Sequence, residues 1–199
     1  MVGMHPYATD SEERKNVIFV LSLCAVALTY VFHLLLIKTG IQWPWWLEAP
    51  SVGGVFLLLY KLFDERGWRI KWLRKFGLVK IPDLNGYWSA EGHSLTQKMK
   101  YQANVQICQT WTHISITMET EHSRSHSLTA SILVNQPDGI TVSYEYRNEP
   151  KPNALPTMHA HRGTAILRLK NSTLLEGEYY SGRDRLNYGS LILRRKEMG

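Results

Sequence analysis

The chain has 199 residues, a formal net charge of +6 and two cysteines. Two cysteines exclude a disulfide framework and fit a reducing compartment. Most of the positive excess lies between Lys61 and Lys80, directly after an apolar segment, and not on one face of a folded domain. That position reads as a membrane flank and argues against DNA or RNA as partner.

Residues 1–15 read as a cytosolic N-terminus. Arg14-Lys15 leads into an apolar run too long for a signal peptide, and no small-residue cleavage pattern precedes it, so the first helix is expected to be retained. From Asn16 to Ile37 there is no Lys, Arg, Asp or Glu. At about 1.5 Å per residue this run crosses a hydrocarbon core of roughly 30 Å. A second segment is less clean, because Glu48 and Pro50 interrupt it and its apolar stretch, Ala49 to Tyr60, is short. Trp43, Trp45 and Trp46 supply rings suited to a headgroup boundary, and Lys61 can snorkel at the other end.

The link Lys38 to Gln42 is too short for a domain, so residues 16–63 are expected to form a transmembrane hairpin. Basic residues flank both outer ends, which places both in the cytoplasm. Ser51, Gly53 and Gly54 allow close helix approach, within the hairpin or between protomers. His33, an ionisable group within the first span, reads as a neutral imidazole facing the second helix. Residues 64–83 form a basic stalk in which Trp68, Trp72 and Phe76 recur at fourfold spacing. Such a stripe suits an interfacial amphipathic helix or, equally, a rigid stalk packed on the following domain.

From Leu84 to the C-terminus at 199 the hydrophobic period becomes two. Eight segments read as strands: 86–90, 103–109, 113–120, 127–135, 140–146, 161–169, 174–180 and 188–194. Without an intervening helix, a meander is the simplest topology. Eight short strands close most readily into an antiparallel up-and-down β-barrel of lipocalin type, with a sandwich as the alternative. The turns at Gln136–Gly139 and Lys170–Thr173, and the step from Gln109 to His113, are tight. The connections 92–102, 121–126, 148–160 and 181–187 are longer, and in a meander they share the end away from the stalk.

Chemistry is sparse. Eight histidines lack companion carboxylates or cysteines at ligand spacing, so neither a metal nor a cofactor is expected. No Gly-x-Ser-x-Gly elbow, activated cysteine or Gly-rich phosphate loop occurs, which disfavours an enzyme. The stretch Gly177-Glu-Tyr-Tyr-Ser-Gly-Arg-Asp-Arg185 does gather aromatics, hydroxyls and two guanidinium groups at a strand end. Period two places Tyr179 and Ser181 inward there, with Arg183 and Arg185 in the adjoining loop. Thr120, Tyr146 and Asn148 take inward positions at the same end, with Arg124, His126 and His161 near it. The set reads either as a nucleotide-sized polar cup or as a solvated rim with tyrosines closing the core.

In its order of parts the chain resembles the two-transmembrane β-barrel effectors of bacterial cyclic-oligonucleotide-based antiphage signalling (CBASS). The resemblance is carried by the helix pair, the basic stalk, the Leu84-Asn-Gly-Tyr-Trp88 lead-in, and the Leu175-Glu-Gly-Glu-Tyr-Tyr180 and Gly189-Ser-Leu-Ile-Leu193 strands. It implies a non-enzymatic effector in the bacterial inner membrane, whose cytosolic barrel receives a cyclic dinucleotide made by a partner nucleotidyltransferase. It also implies self-association on binding, disruption of the lipid bilayer, and death or arrest of the infected cell. A membrane-anchored carrier of a small lipid is the competing expectation, and it requires an apolar mouth. A membrane-anchored enzyme is a third, and it requires a histidine paired with Glu178 or Asp184.

Overall fold

The computed structural model describes residues 3–38, 45–96, 98–154, 159–182 and 187–196. The helix link after Lys38, Trp43, and the loop arginines Arg183 and Arg185 lie outside the described residues, as do the side chains of Trp45 and Trp46. The chain divides into two compact units: Met1–Ser11 together with Ile81–Gly199, and Glu12–Lys80.

The first unit is a closed antiparallel barrel. Its strands are β1 (His5–Ala8), β2 (Gly86–Ser94), β3 (Met99–Gln109), β4 (His113–Glu119), β5 (Ser123–Leu133), β6 (Thr141–Pro150), β7 (His161–Asn171), β8 (Leu174–Ser181) and β9 (Tyr188–Arg195). Neighbours from β2 to β9 pair in sequence order, and β9 returns to β2 from Trp88↔Arg195 to Ser94↔Gly189. The meander is thus as the alternation predicts, but the barrel has nine strands and not eight.

The ninth strand comes from the extreme N-terminus. β4 and β5 pair with one another only from Thr117↔His126 to Glu119↔Arg124, and diverge toward the other end of the barrel. β1 fills that wedge, antiparallel to β4 at His5↔Ile114 and parallel to β5 at Tyr7↔Ala130. Tyr7 is buried, and its hydroxyl donates to the Trp111 carbonyl at 2.5 Å. Just beyond, the Asp10 carboxylate accepts the Val134 and Asn135 backbone N–H groups at 2.7 and 3.1 Å. Burial pushes this carboxyl up, but those bonds and one from Gln136 outweigh it and hold Asp10 below the ordinary range.

Several strands run further from the stalk than their apolar alternation shows. β2 continues to Ser94, β3 begins at Met99, β5 begins at Ser123 and β6 reaches Pro150. The connections expected to be long at 92–102 and 121–126 are therefore tight. The second is locked where Thr120 N–H donates to the Ser123 carbonyl at 2.9 Å and the two side-chain hydroxyls meet at 3.0 Å.

The stalk-side half of the barrel carries the apolar core, with Trp88, Ile114, Ile132, Leu167, Leu191 and Leu193 essentially inaccessible. Each such side chain contributes about 1.5–3 kcal/mol by leaving water. The lead-in to β2 seals this end. Trp88 Nε1 donates to the Leu84 carbonyl at 3.0 Å, and the Arg195 guanidinium lies 4.8 Å from the Trp88 ring. The side chain of Gln109 spans Leu84 N–H at 2.8 Å and the Pro82 carbonyl at 3.1 Å.

In the second unit, α1 (Glu13–Lys38) packs against α2 (Trp45–Glu65). α1 is the one described helix long and apolar enough to cross a bilayer. Its large side chains stand exposed, Phe19 at 65% among them, as lipid-facing residues do. Its hydroxyls are satisfied internally, Ser22 to the Ile18 carbonyl and Thr29 to that of Ala25, both at 2.9 Å. α2 is interrupted by charge, at Glu48, Lys61, Asp64 and Glu65.

After α2, the stalk is not one continuous helix. A 3₁₀ turn (Gly67–Arg69) gives way at the extended Ile70 to α3 (Lys71–Lys75). The three aromatics therefore share no single stripe: Trp68 is buried, with the guanidinium groups of Arg69 and Arg74 at 5.5 and 5.6 Å from its ring, whereas Trp72 and Phe76 are exposed.

Candidate ligand site

The interior changes character along the barrel axis. Toward the stalk it is aliphatic; in the half away from it the inward positions of β5 are Ser123, Ser125 and Ser127, all buried. β6 adds Tyr144, Tyr146 and Asn148, and β8 adds Tyr179 and Ser181. Opposite them Ser94 donates to Asn187 Oδ1 at 2.7 Å. A short aliphatic lining would fill this space at less desolvation cost, so a hydroxyl-lined interior is a chemical specification.

Glycines make room for the tyrosine rings. A side chain at Gly92 would overlap the Tyr101 ring, and one at Gly163 would overlap the hydroxyl end of Tyr146. One at Gly189 would meet the His93 carbonyl and the edge of Tyr179. Tyr101 and Tyr179 stand edge to face with centroids 6.1 Å apart, and Tyr144 and Tyr146 lie at 6.3 Å. Burial raises the pKa values of Tyr101 and Tyr144 far above the ordinary phenol range, with neighbouring phenols adding to the shift. Both remain protonated donors at any physiological pH.

One group stands apart. The Tyr179 hydroxyl is buried and, beside the Tyr101 phenol, makes no hydrogen bond of standard geometry among the described residues. Leaving such a group unpaired costs about 1–3 kcal/mol, which a bound acceptor recovers.

Of the residues named from sequence, the fold brings Tyr146, Asn148, Tyr179 and Ser181 together inside the polar half. Thr120 sits in the turn at its edge, held by Ser123. His161 pairs in register with Asn148 at the rim, with Nδ1 3.0 Å from the His159 carbonyl. Arg124 and His126 do not join the cup. They alternate with the three inward serines and so face outward, where Arg124 lies across from Glu119 and Glu149. Sequence reasoning missed Tyr101 and Tyr144. Tyr144 shares its parity with Tyr146 and was legible on that ground; Tyr101 fell in a stretch read as loop.

Two surface concavities compete with the interior. One of about 640 Å³ lies over β7 to β9 and one of about 590 Å³ over β2 and β3. The larger mixes Arg168 and Lys170 with Glu176 and Glu178, so its charges cancel and it offers an anion no net attraction. The polar interior is the better candidate. Among the described residues no group of three His, Cys, Asp or Glu is placed to hold a metal ion.

A closed barrel with a polar, tyrosine-lined interior, on a chain that carries a membrane-crossing helix, defines a membrane-borne receptor for a small polar ligand. Residues 79–195 match the family described as "Cap15, cyclic dinucleotide receptor domain", and residues 15–69 match "Cap15, TM helices". The chain is 34% identical over 152 residues to CD-NTase-associated protein 15 of Yersinia aleksiciae, covering 74% of this chain and 70% of the relative. The chain belongs to the Cap15 family, and is a CBASS membrane effector with a cyclic dinucleotide receptor domain. A lipid carrier is not favoured, since the lining described above is polar where a lipid tail needs it apolar.

Proposed function

We propose that a cyclic dinucleotide enters the barrel through its polar end, that binding drives self-association, and that the gathered membrane segments disrupt the inner membrane and halt the infected cell. The observation that carries the site is the buried Tyr179 hydroxyl, without a hydrogen bond of standard geometry among the described residues, in a cup of phenols and serines. Tyrosine faces suit base stacking, and protonated hydroxyls suit phosphate oxygens. Arg183 and Arg185, in the loop that follows β8, supply the countercharge. No step is catalytic. A ligand that binds the associated state better by about 5.5 kcal/mol moves the population from roughly 1:99 to 99:1.

The two-pass reading has support in the fold itself. β1 precedes α1 in the chain, yet belongs to the same barrel as β2 to β9, which follow α2. Both stretches therefore lie on one side of any bilayer, and the number of crossings between them is even. If α1 crosses, α2 is the described helix that returns the chain. The basic flanks Arg14, Lys15 and Lys61 to Lys80 support the cytoplasm as that side.

The test is calorimetric titration of the detergent-solubilised full chain with a panel of cyclic dinucleotides. Asn148→Leu and Arg183→Ala are expected to lose the binding heat, while Arg124→Ala and His126→Ala on the outer face keep it. Loss with the outer-face variants and retention with Asn148→Leu and Arg183→Ala removes the interior site.

A further inference from the structure

The segment between α2 and the barrel exposes more apolar surface than a water-facing connection tolerates. Ile70 is 52% exposed, Trp72 75% and Phe76 77%. Trp72, on α3, and Phe76, its C-cap, are four residues apart and joined by the Phe76 N–H donating to the Trp72 carbonyl at 2.9 Å, so they share a face. Their exposure is enforced by local geometry. Gly77, at φ +72°, ends α3 with Leu78 N–H donating to the Leu73 carbonyl at 2.9 Å and Gly77 N–H to that of Arg74 at 3.0 Å. This paired closure fixes the C-terminal turn. On the other side the buried Trp68, covered by Arg69 and Arg74, holds the preceding turn. The two rings are thus presented outward by a braced scaffold.

Charge identifies what covers them. From Arg66 to Lys80 there are six Lys and Arg and no Asp or Glu. Lys71 and Lys75 flank the two rings and are exposed. A tryptophan and a phenylalanine framed by cations match the headgroup layer of an anionic bilayer, where rings seat at the acyl boundary and the cations are attracted to the anionic headgroups. We propose that Ile70, Trp72 and Phe76 form an interfacial anchor, seated among anionic lipid headgroups beside the end of α2. This rests on the hairpin reading, because α2 must end at the membrane surface for α3 to reach it.

The experiment uses the full chain with Cys24→Ser and Cys108→Ser, reconstituted in vesicles containing phosphatidylglycerol. An environment-sensitive dye is placed at Trp72→Cys or Phe76→Cys, with Leu58→Cys in α2 and Glu121→Cys in the β4–β5 turn, at the barrel end away from the stalk, for comparison. The expected result is blue-shifted emission at 72 and 76, quenched by lipids with a nitroxide near the headgroup. Deep-nitroxide lipids should quench only the label at 58, and neither lipid the one at 121. Water-like emission at 72 and 76 with deep quenching at 58 overturns the anchor and leaves the hairpin standing. Loss of quenching at 58 overturns the hairpin first. A blue shift at 72 and 76 that neither lipid quenches overturns the lipid assignment in favour of a covering protein surface, such as a second copy.

Discussion

Tyr179→Phe separates the two roles of one atom. In the empty barrel the hydroxyl is buried and makes no hydrogen bond of standard geometry among the described residues. Deleting it removes a desolvation cost of about 1–3 kcal/mol while the ring stays in contact with Tyr101. The empty variant should therefore unfold at a higher temperature, by roughly 3–15 °C for a domain of this size. In the complex the same hydroxyl donates to the ligand; a bond to a charged phosphate oxygen contributes about 1.5–3 kcal/mol, so affinity should fall on the order of tenfold or more. The assay is thermal unfolding of the barrel with and without cyclic dinucleotide, followed by tryptophan fluorescence. The variant should begin higher and gain less from ligand. A variant less stable when empty shows that the hydroxyl has a partner within the protein, and unchanged affinity shows that the ligand does not reach it. Either result refutes the reasoning.

Tyr7→Ala should destabilise the barrel by about 3–5 kcal/mol in denaturant titration, as a fully packed aromatic does, although it lies near the chain's start. An unchanged midpoint would mean that β1 is dispensable. Gly163→Ala forces a methyl against Tyr146 and the Tyr180 carbonyl, at about 1–3 kcal/mol of strain. Its ligand affinity should fall with its stability, and retained affinity would place the ligand elsewhere. Acid should weaken the fold through Asp10 and Glu119. Both carboxyls are held below the ordinary range, Glu119 by the Lys151 ammonium at 2.9 Å. Their stabilisation is complete above ordinary carboxyl values of about 4 and disappears as pH falls through the lower folded values. Asp10→Asn with Glu119→Gln should flatten the acid limb of a stability–pH curve by lowering the neutral region, and leave the acid end little changed.

The strands were legible where their inward residues are aliphatic. Val105 and Ile107, or Leu191 and Leu193, alternate with polar neighbours and declare a buried face. The same strands vanish from the pattern where they enter the polar half. Gly92-His93-Ser94 and Ser123-Arg124-Ser125 read as loop because their inward members are glycine and serine, the traits that suit them to a polar ligand. The site was therefore hidden by its own chemistry, apart from the tyrosines on β6 and β8. β1 was invisible for a different reason: four residues including Pro6 are too few to show a period, and their partners lie more than a hundred positions away. The break at Ile70 escaped because fourfold aromatic spacing is blind to one extended residue.

The wedge strand also sets an order of assembly. The first strand synthesised must wait while both helices and more than half of the remaining chain emerge, since β4 and β5, its partners, come late. Barrel completion thus requires that the intervening helices have already been made. A fragment cut after those helices lacks its ninth strand and leaves backbone donors and acceptors of His113, Ile114, Ala130 and Ser131 bare at the gap. Such an open seam is a docking edge for the N-terminal strand of another molecule, which makes strand exchange the natural failure mode of truncated preparations.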